Sequence, residues 1–276
     1  MGRIRYTCVG SGTCVPSPAR GPACHLVQAG DLRLLLDLGS GSLRSLVGLG
    51  ERVQDLVAVG VTHRHMDHVA DLLPLLFALR YAPGERRVRP LSVFGYPGLA
   101  SDLGRLAETY GGWVLDPGFE LRVRELPPGD RLVLESEGDR VQVESHPVSH
   151  TPEAVAFRLD VAAVRPGGPA SRAVIAYSGD SGPTASLARL ARGADLFVCE
   201  CAFPEGEGVP IHLTPSELLA VCAVARPRRV VATHFYPVWD ERGVDRLWAE
   251  ALAASDAGVD LVAARDGLTI ELAGTD

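Results

Sequence analysis

Residues 56–62 form a near-continuous apolar run that stops abruptly at His63-Arg64-His65-Met66-Asp67-His68. Such a run reads as a strand buried on both faces, so the hexapeptide emerges where a sheet ends. Four potential metal ligands in six positions cannot share one helix face, but a loop can wrap them around ions. Histidines two residues apart grip one ion while the adjacent Asp67 and His68 turn toward a second. Neutral imidazole with carboxylate suits zinc, manganese or iron. The chain has only 8 histidines in 276 residues, and three of them within six positions is not the signature of an ordinary polar loop.

Three further residues lie at or just beyond the ends of apolar runs: His150 in HPVSHTPEA, Asp180 in YSGDSG and His234 in VVATH. Open sheets place ligands at such strand ends. Any one of them alone reads as structural. Together with the hexapeptide they supply a histidine as the third ligand for each of two ions and a carboxylate to bridge them.

The rest of the chain follows a mixed β and then β/α pattern. Strands are predicted at 3–9, 25–28, 32–38, 56–62, 91–94, 120–123, 131–134, 141–145, 154–159, 173–177, 195–201 and 229–233, with two short ones at the end. Helices are predicted near 43–49, 69–79, 98–110, 184–191 and 244–254. The tetrad Thr214-Pro215-Ser216-Glu217 marks one more helix start, with an N-cap, a proline at N1 and a glutamate at N3. Residues 164–171 read as a hairpin tip and not as a linker. No repeat or low-complexity tract interrupts the pattern, so one α/β (α+β) domain spanning 1–276 is expected.

Composition narrows the function classes. There is no lysine, so all 27 cations are arginines, and a lysine-containing phosphate loop or a Schiff-base lysine is excluded. There is no asparagine and hence no N-glycosylation acceptor. A net charge of −7 argues against a broad nucleic-acid footprint, which leaves a small-molecule or carrier-bound substrate as the expected partner. No run approaches the roughly 18 apolar residues of a membrane helix, and no apolar stretch follows the arginines of MGRIRYTCVGSG. A cytoplasmic protein without membrane contact is expected. The six cysteines form no C-x-x-C pair and read as reduced thiols.

The motifs THRHMDH (62–68), His150, SGDSG (178–182) and THF (233–235), together with the opening GSGTCVPSPARGPA and LLLDLGSG, resemble those of the metallo-β-lactamase superfamily of hydrolases. They occur in the family's order and cover most of the chain. The continuation DHVADLLPLLFAL is similar to the DHxxGLPxLL of ribonuclease Z-like and phosphodiesterase relatives, with Asp71 where glycine is usual. It is unlike the DHxGG of β-lactamases, glyoxalase II and lactonases. Glu200 in LFVCECAF and His212 in HLTPSE resemble that branch's glutamate and its histidine of an H-[LS]-T loop. The family's GDT stands here as Gly179-Asp180-Ser181.

The resemblance implies a four-layer αβ/βα sandwich with two mixed sheets face to face and helices outside. It implies that His63, His65 and His150 hold one divalent ion, that Asp67, His68 and His234 hold another, and that Asp180 bridges them. Zinc is the expected metal, with manganese or iron as alternatives. A hydroxide between the ions would attack a phosphodiester, Asp67 would orient it, and His212 steered by Glu200 would protonate the leaving oxygen. Homodimers are common among such relatives. Ribonuclease Z proper carries a long arm between the third histidine and the bridging aspartate. Here only 29 residues separate His150 from Asp180, so tRNA 3′-end cleavage is not the expected activity. The main alternative keeps the same site but cleaves a carboxyl bond, as a thioesterase, lactonase or amidase. A di-iron redox enzyme and a non-enzymatic binding module are disfavoured by the retained His65 and the full set of seven ligand positions.

Several other residues receive plainer expectations. Asp37, at the end of its strand, is expected to support the metal loop by hydrogen bonds. His25 is expected to pack in the core, and His146 to lie at the surface or behind the ligands. Tyr236 and Trp239 either pack or line a pocket. Arg80, Arg86, Arg87 and Arg89 form a solvated face or a patch that steers an anionic substrate.

Overall fold

The computed structural model describes residues 2–84, 86–164, 170–255 and 258–272. Among these, the strands are β1 (Ile4–Gly10), β2 (Cys24–Ala29), β3 (Leu32–Leu38), β4 (Ala58–Val61), β5 (Leu91–Gly95), β6 (Leu121–Glu125), β7 (Arg131–Ser136), β8 (Asp139–Pro147), β9 (Val155–Ala163), β10 (Ser171–Tyr177), β11 (Leu196–Glu200), β12 (Val230–Thr233), β13 (Leu261–Ala263) and β14 (Thr269–Leu272). The helices are α1 (Ser42–Gly48), α2 (Met66–Val69), α3 (Leu72–Tyr81), α4 (Leu99–Tyr110), α5 (Ala185–Leu190), α6 (Pro215–Ala225), α7 (Val238–Arg242) and α8 (Val244–Ala253).

The strands form two seven-stranded sheets, ordered β14-β1-β2-β3-β4-β5-β6 and β13-β12-β11-β10-β9-β8-β7. Each sheet is half antiparallel and half parallel. In the first, β14, β1, β2 and β3 pair antiparallel, and β3, β4, β5 and β6 pair parallel. In the second, β7 to β10 are antiparallel and β10 to β13 parallel. The sheets meet through apolar inner faces, where the Phe94 and Phe157 rings stand 5.3 Å apart edge to face. The result is the two-sheet sandwich with outer helices that the motifs led us to expect. No helix among the described residues is long and apolar enough to cross a membrane.

The purely apolar strands sit where parallel pairing buries both faces. All four residues of β4 and all five of β11 are buried. Parallel strands in one sheet share an end, so the carboxyl ends of β3 and β4 lie together, as do those of β10, β11 and β12. These two ends carry nearly all of the predicted site residues.

Two expectations change in detail. The buried run is strand only over Ala58–Val61, because Thr62 and His63 already leave the sheet. The hexapeptide is not all loop. Asp67 and His68 lie in the short helix α2, with His65 in an extended conformation as its N-cap, so the predicted helix at 69–79 is two helices, α2 and α3. The β9–β10 hairpin places Ala163 opposite Ser171 as the predicted tip requires, though tip residues 165–169 lie outside the described residues. The helix start at Thr214 holds: the Thr214 backbone N–H donates to Glu217 Oε2 at 2.9 Å, and Pro215 opens α6.

Candidate metal centre

Asp37, the last residue but one of β3, holds a left-handed conformation (φ 57°) with no exposed surface. Its carboxylate gathers the neighbouring elements. Oδ1 accepts the Thr62 backbone N–H at 2.8 Å, and Oδ2 accepts the Thr62 hydroxyl at 2.9 Å. Oδ2 also lies 2.7 Å from His68 Nδ1. A carboxylate only accepts, so the proton sits on Nδ1 and the free face of the His68 ring is Nε2. This is the supporting role expected of Asp37.

Two ligand clusters result. In one, His63 Nε2 and His150 Nε2 lie 3.0 and 3.1 Å from His65 Nδ1, and each is 3.7 Å from Asp180 Oδ2. In the other, His68 Nε2 and His234 Nε2 are 3.4 Å apart. Asp67 Oδ2 lies 3.4 Å from His234 Nε2, and Asp180 Oδ1 lies 3.3 Å from both rings. Asp180 therefore turns one oxygen to each cluster. His234, like Asp37, holds a left-handed backbone (φ 61°), a strain of roughly 1–3 kcal/mol that persists only where surroundings impose it.

The arrangement passes a test of fit for cations. Asp180 Oδ1 is buried and makes no hydrogen bond, an expensive state for a carboxylate oxygen. Ring nitrogens that can act as acceptors converge on one another in both clusters, and a shared positive charge between them relieves this. The chemistry of the donors, imidazole and carboxylate, suits zinc, manganese or iron. These His and Asp clusters fit a dinuclear centre.

Charge reinforces the fit. Burial pushes the Asp67 and Asp180 carboxyls up, but the surrounding histidines override it and hold both well below the usual carboxylate range. Burial pulls His63 and His150 down, so they stay neutral. His68 is the exception: burial opposes its charge, but Asp180 and Asp37 carry it well above the ordinary value.

Beside the clusters stands a buried pair. His212 Nδ1 lies 2.8 Å from Glu200 Oε1, at the end of β11. Glu200 also accepts the backbone N–H groups of Ser181 (2.6 Å) and Leu213 (3.2 Å). The His212 ring stacks on that of His234 at 5.5 Å and stands 5.1 Å from that of His150. Burial lowers its proton affinity, but the Glu200 hydrogen bond and charge more than restore it.

Other expectations sort themselves by contact. Trp239 is no pocket residue: it is fully buried, donates to the Ala202 carbonyl at 3.1 Å and stacks on Trp248 at 5.4 Å. Tyr236 stays at the rim, half-buried and stacked on Phe203 at 4.5 Å. His25 packs in the core against Tyr6 and Tyr177, and burial pushes it down to about 3. His146 lies outside both clusters. Arg87 is not part of a solvated patch, since its buried guanidinium donates to the carbonyls of Gln54, Leu56, Arg89 and Pro90.

Three contributors escaped the sequence reading. The Cys14 backbone N–H donates to Asp67 Oδ2 at 2.9 Å, bringing the glycine-rich first loop onto a ligand. Asp266 accepts from Ser11 and Gly21 and so clasps the same loop. Tyr177 reaches Asp37 from the opposite sheet. Cys14 lies inside the first-loop motif and Tyr177 stands just before SGDSG, but nothing in the sequence points either one to its partner.

Residues 33–235 match the family model described as the beta-lactamase superfamily domain. The chain belongs to this superfamily. Over 97% of its length this superfamily member is 30% identical to an uncharacterized protein of Mycobacterium leprae, of which 89% is covered. It is also 30% identical to a ribonuclease Z of Mycobacterium marinum, over 92% of this chain and 94% of that one. Its fold is similar to that of the metallo-β-lactamase-fold protein YhfI from Bacillus subtilis, with a TM-score of 0.76 at 22% identity, covering 98% of this chain and 99% of the other. Family, fold and the similarity to ribonuclease Z make it a metal-dependent hydrolase of the superfamily.

Proposed function

We propose that this hydrolase holds two divalent ions, zinc by choice of donors, and cleaves a phosphodiester in a small or carrier-bound substrate in the cytoplasm. The observation that carries the reading is the buried Glu200–His212 pair beside the clusters. Bound ions would supply a nucleophile at neutral pH and neutralise charge building on the phosphoryl oxygens.

The chain's own groups supply the rest. Asp67, fixed by the Cys14 N–H, orients the attacking oxygen. Glu200 holds the His212 ring through Nδ1, which leaves Nε2 to deliver a proton. Burial opposes a charge on His212, but Glu200 outweighs it and raises the ring's proton affinity above the ordinary imidazole value, which favours the donating form. A poised acid matters when the departing group is an alkoxide, as in most phosphodiesters, and matters little for thiolates. Seven residues, 164–170, connect β9 and β10, which leaves no room for a tRNA-gripping arm and favours a small substrate over tRNA.

The test is hydrolysis of bis-p-nitrophenyl phosphate by zinc- or manganese-loaded protein, with Asp180→Ala as the control. Turnover in the parent that disappears in the variant is the expected result. No turnover in protein that verifiably holds two ions overturns the phosphodiester reading and turns the search to thioesters and lactones.

A further inference from the structure

Tyr177 ends β10 in the second sheet, and Asp37 is the last residue but one of β3 in the first. The Tyr177 hydroxyl crosses the interior of the sandwich and donates to Asp37 Oδ2 at 2.6 Å, the oxygen that also receives the His68 Nδ1 proton. Tyr177 is 2% exposed and Asp37 has no exposed surface, so no solvent competes for this contact. The ring of Tyr177 is held in turn by His25, edge to face at 4.8 Å.

The same short stretch of chain leads to the bridging carboxylate. Gly179, two residues on, takes a left-handed turn (φ 54°), and a Cβ there would stand 2.8 Å from Thr62 Cγ2. Thr62 is itself bound to Asp37 and lies 3.0 Å from His63 Nδ1 through its hydroxyl. One phenol and one carboxylate thus tie together the segments that deliver His63, His68 and Asp180.

We infer that Tyr177 is a positioning residue for the metal centre: its hydroxyl locks Asp37 against His68 and so sets the His68 Nε2 direction. This rests on reading the clusters as a dinuclear centre. Ring packing alone needs no hydroxyl at Tyr177, since phenylalanine fills the same space. Freed of the phenol, Asp37 Oδ2 can swing, and the cluster containing His68 loses its preset ligand while His65 and His150 keep theirs. Groups that support a ligand in this way change metal affinity by about 10- to 100-fold.

The experiment is a competition titration of metal-free protein with zinc against a chromophoric chelator, for the parent, Tyr177→Phe, His68→Ala and the double variant. Two equivalents are expected in the parent. In Tyr177→Phe one equivalent weakens about 10- to 100-fold and the other stays within about threefold. In the His68→Ala background the second change adds nothing. Circular dichroism and urea unfolding of the metal-free proteins establish that each variant is folded. Equal weakening of both equivalents, no weakening, or an additive effect on His68→Ala overturns the positioning role alone. A parent that binds fewer than two equivalents overturns the dinuclear reading beneath it. Should Tyr177→Phe not fold, Asp37→Asn, which keeps the size but weakens acceptance from His68, is expected to weaken the same single equivalent, and the same outcomes decide.

Discussion

At the scale of single residues, His212 and His68 differ in what they do with a proton. Replacing His212 with alanine removes the proposed acid and leaves in place all seven residues proposed to hold the ions. For a diester with an alkoxide leaving group the loss in kcat should be about 100-fold or more, and for p-nitrophenolate, which leaves without help, within about tenfold. A leaving-group series in both proteins checks this, and equal losses across the series would remove His212 from the acid role. His68 is charged in the metal-free protein because Asp180 and Asp37 hold its proton. Zinc must displace that proton. With the folded affinity for protons raised, zinc binding should release protons at neutral pH and tighten as pH rises. Calorimetric titration in buffers of different ionisation enthalpy reads the number released, and a value of zero contradicts it. The residues of the two clusters were legible because histidines in a histidine-poor chain stood at strand ends. Tyr177 was not, since its partner Asp37 is 140 positions away and a tyrosine closing a strand is ordinary.

At the scale of elements, the site depends on how closely loops from neighbouring strands approach one another. The loop after β10 is tied to the segment before β9, where the Gly182 N–H donates to the Ser149 carbonyl at 2.8 Å. A Cβ on Gly182 would overlap the Pro210 carbonyl oxygen, two residues before His212. Gly182→Ala should therefore push the 208–213 loop away, costing about 1–3 kcal/mol of stability as overpacking does. Zinc stoichiometry should persist while turnover of alkoxide-leaving diesters falls. Urea unfolding with zinc analysis checks both, and unchanged turnover would show that the loop adapts. Periodicity alone placed most strands within two residues, but not the break between α2 and α3 or the short α7. In the first case the apolar residues Val69 and Ala70 lead on to Leu72 and Leu73 with only Asp71 between them, so no gap shows. In the second, the five residues of α7 are too few to show a period.

At the scale of the whole molecule, fold class came from the ordered motifs, because alternating strands and helices fit many sheet orders. No local pattern tells that β14 returns to β1. Yet Thr7 and Thr269, 262 positions apart, face each other with hydroxyls 3.2 Å apart. The first sheet is thus finished by a strand some 262 positions along the chain from the one it covers. Until then β1 is paired on its β2 side alone, and the backbone donors and acceptors of its other edge are open to any passing strand. A nascent or refolding chain must hold that edge apart from its neighbours while the most distant contact in the protein closes, which slows the process and favours clumping. Stopping the chain before residue 268 should turn a monodisperse product into one that scatters light and refolds in poor yield, even with zinc present. A truncated chain that stays dispersed and refolds as fast as the parent would show that the edge protects itself. By this reasoning β14 works as a cover on an adhesive edge, and any event that lifts it from β1 exposes a template for another chain.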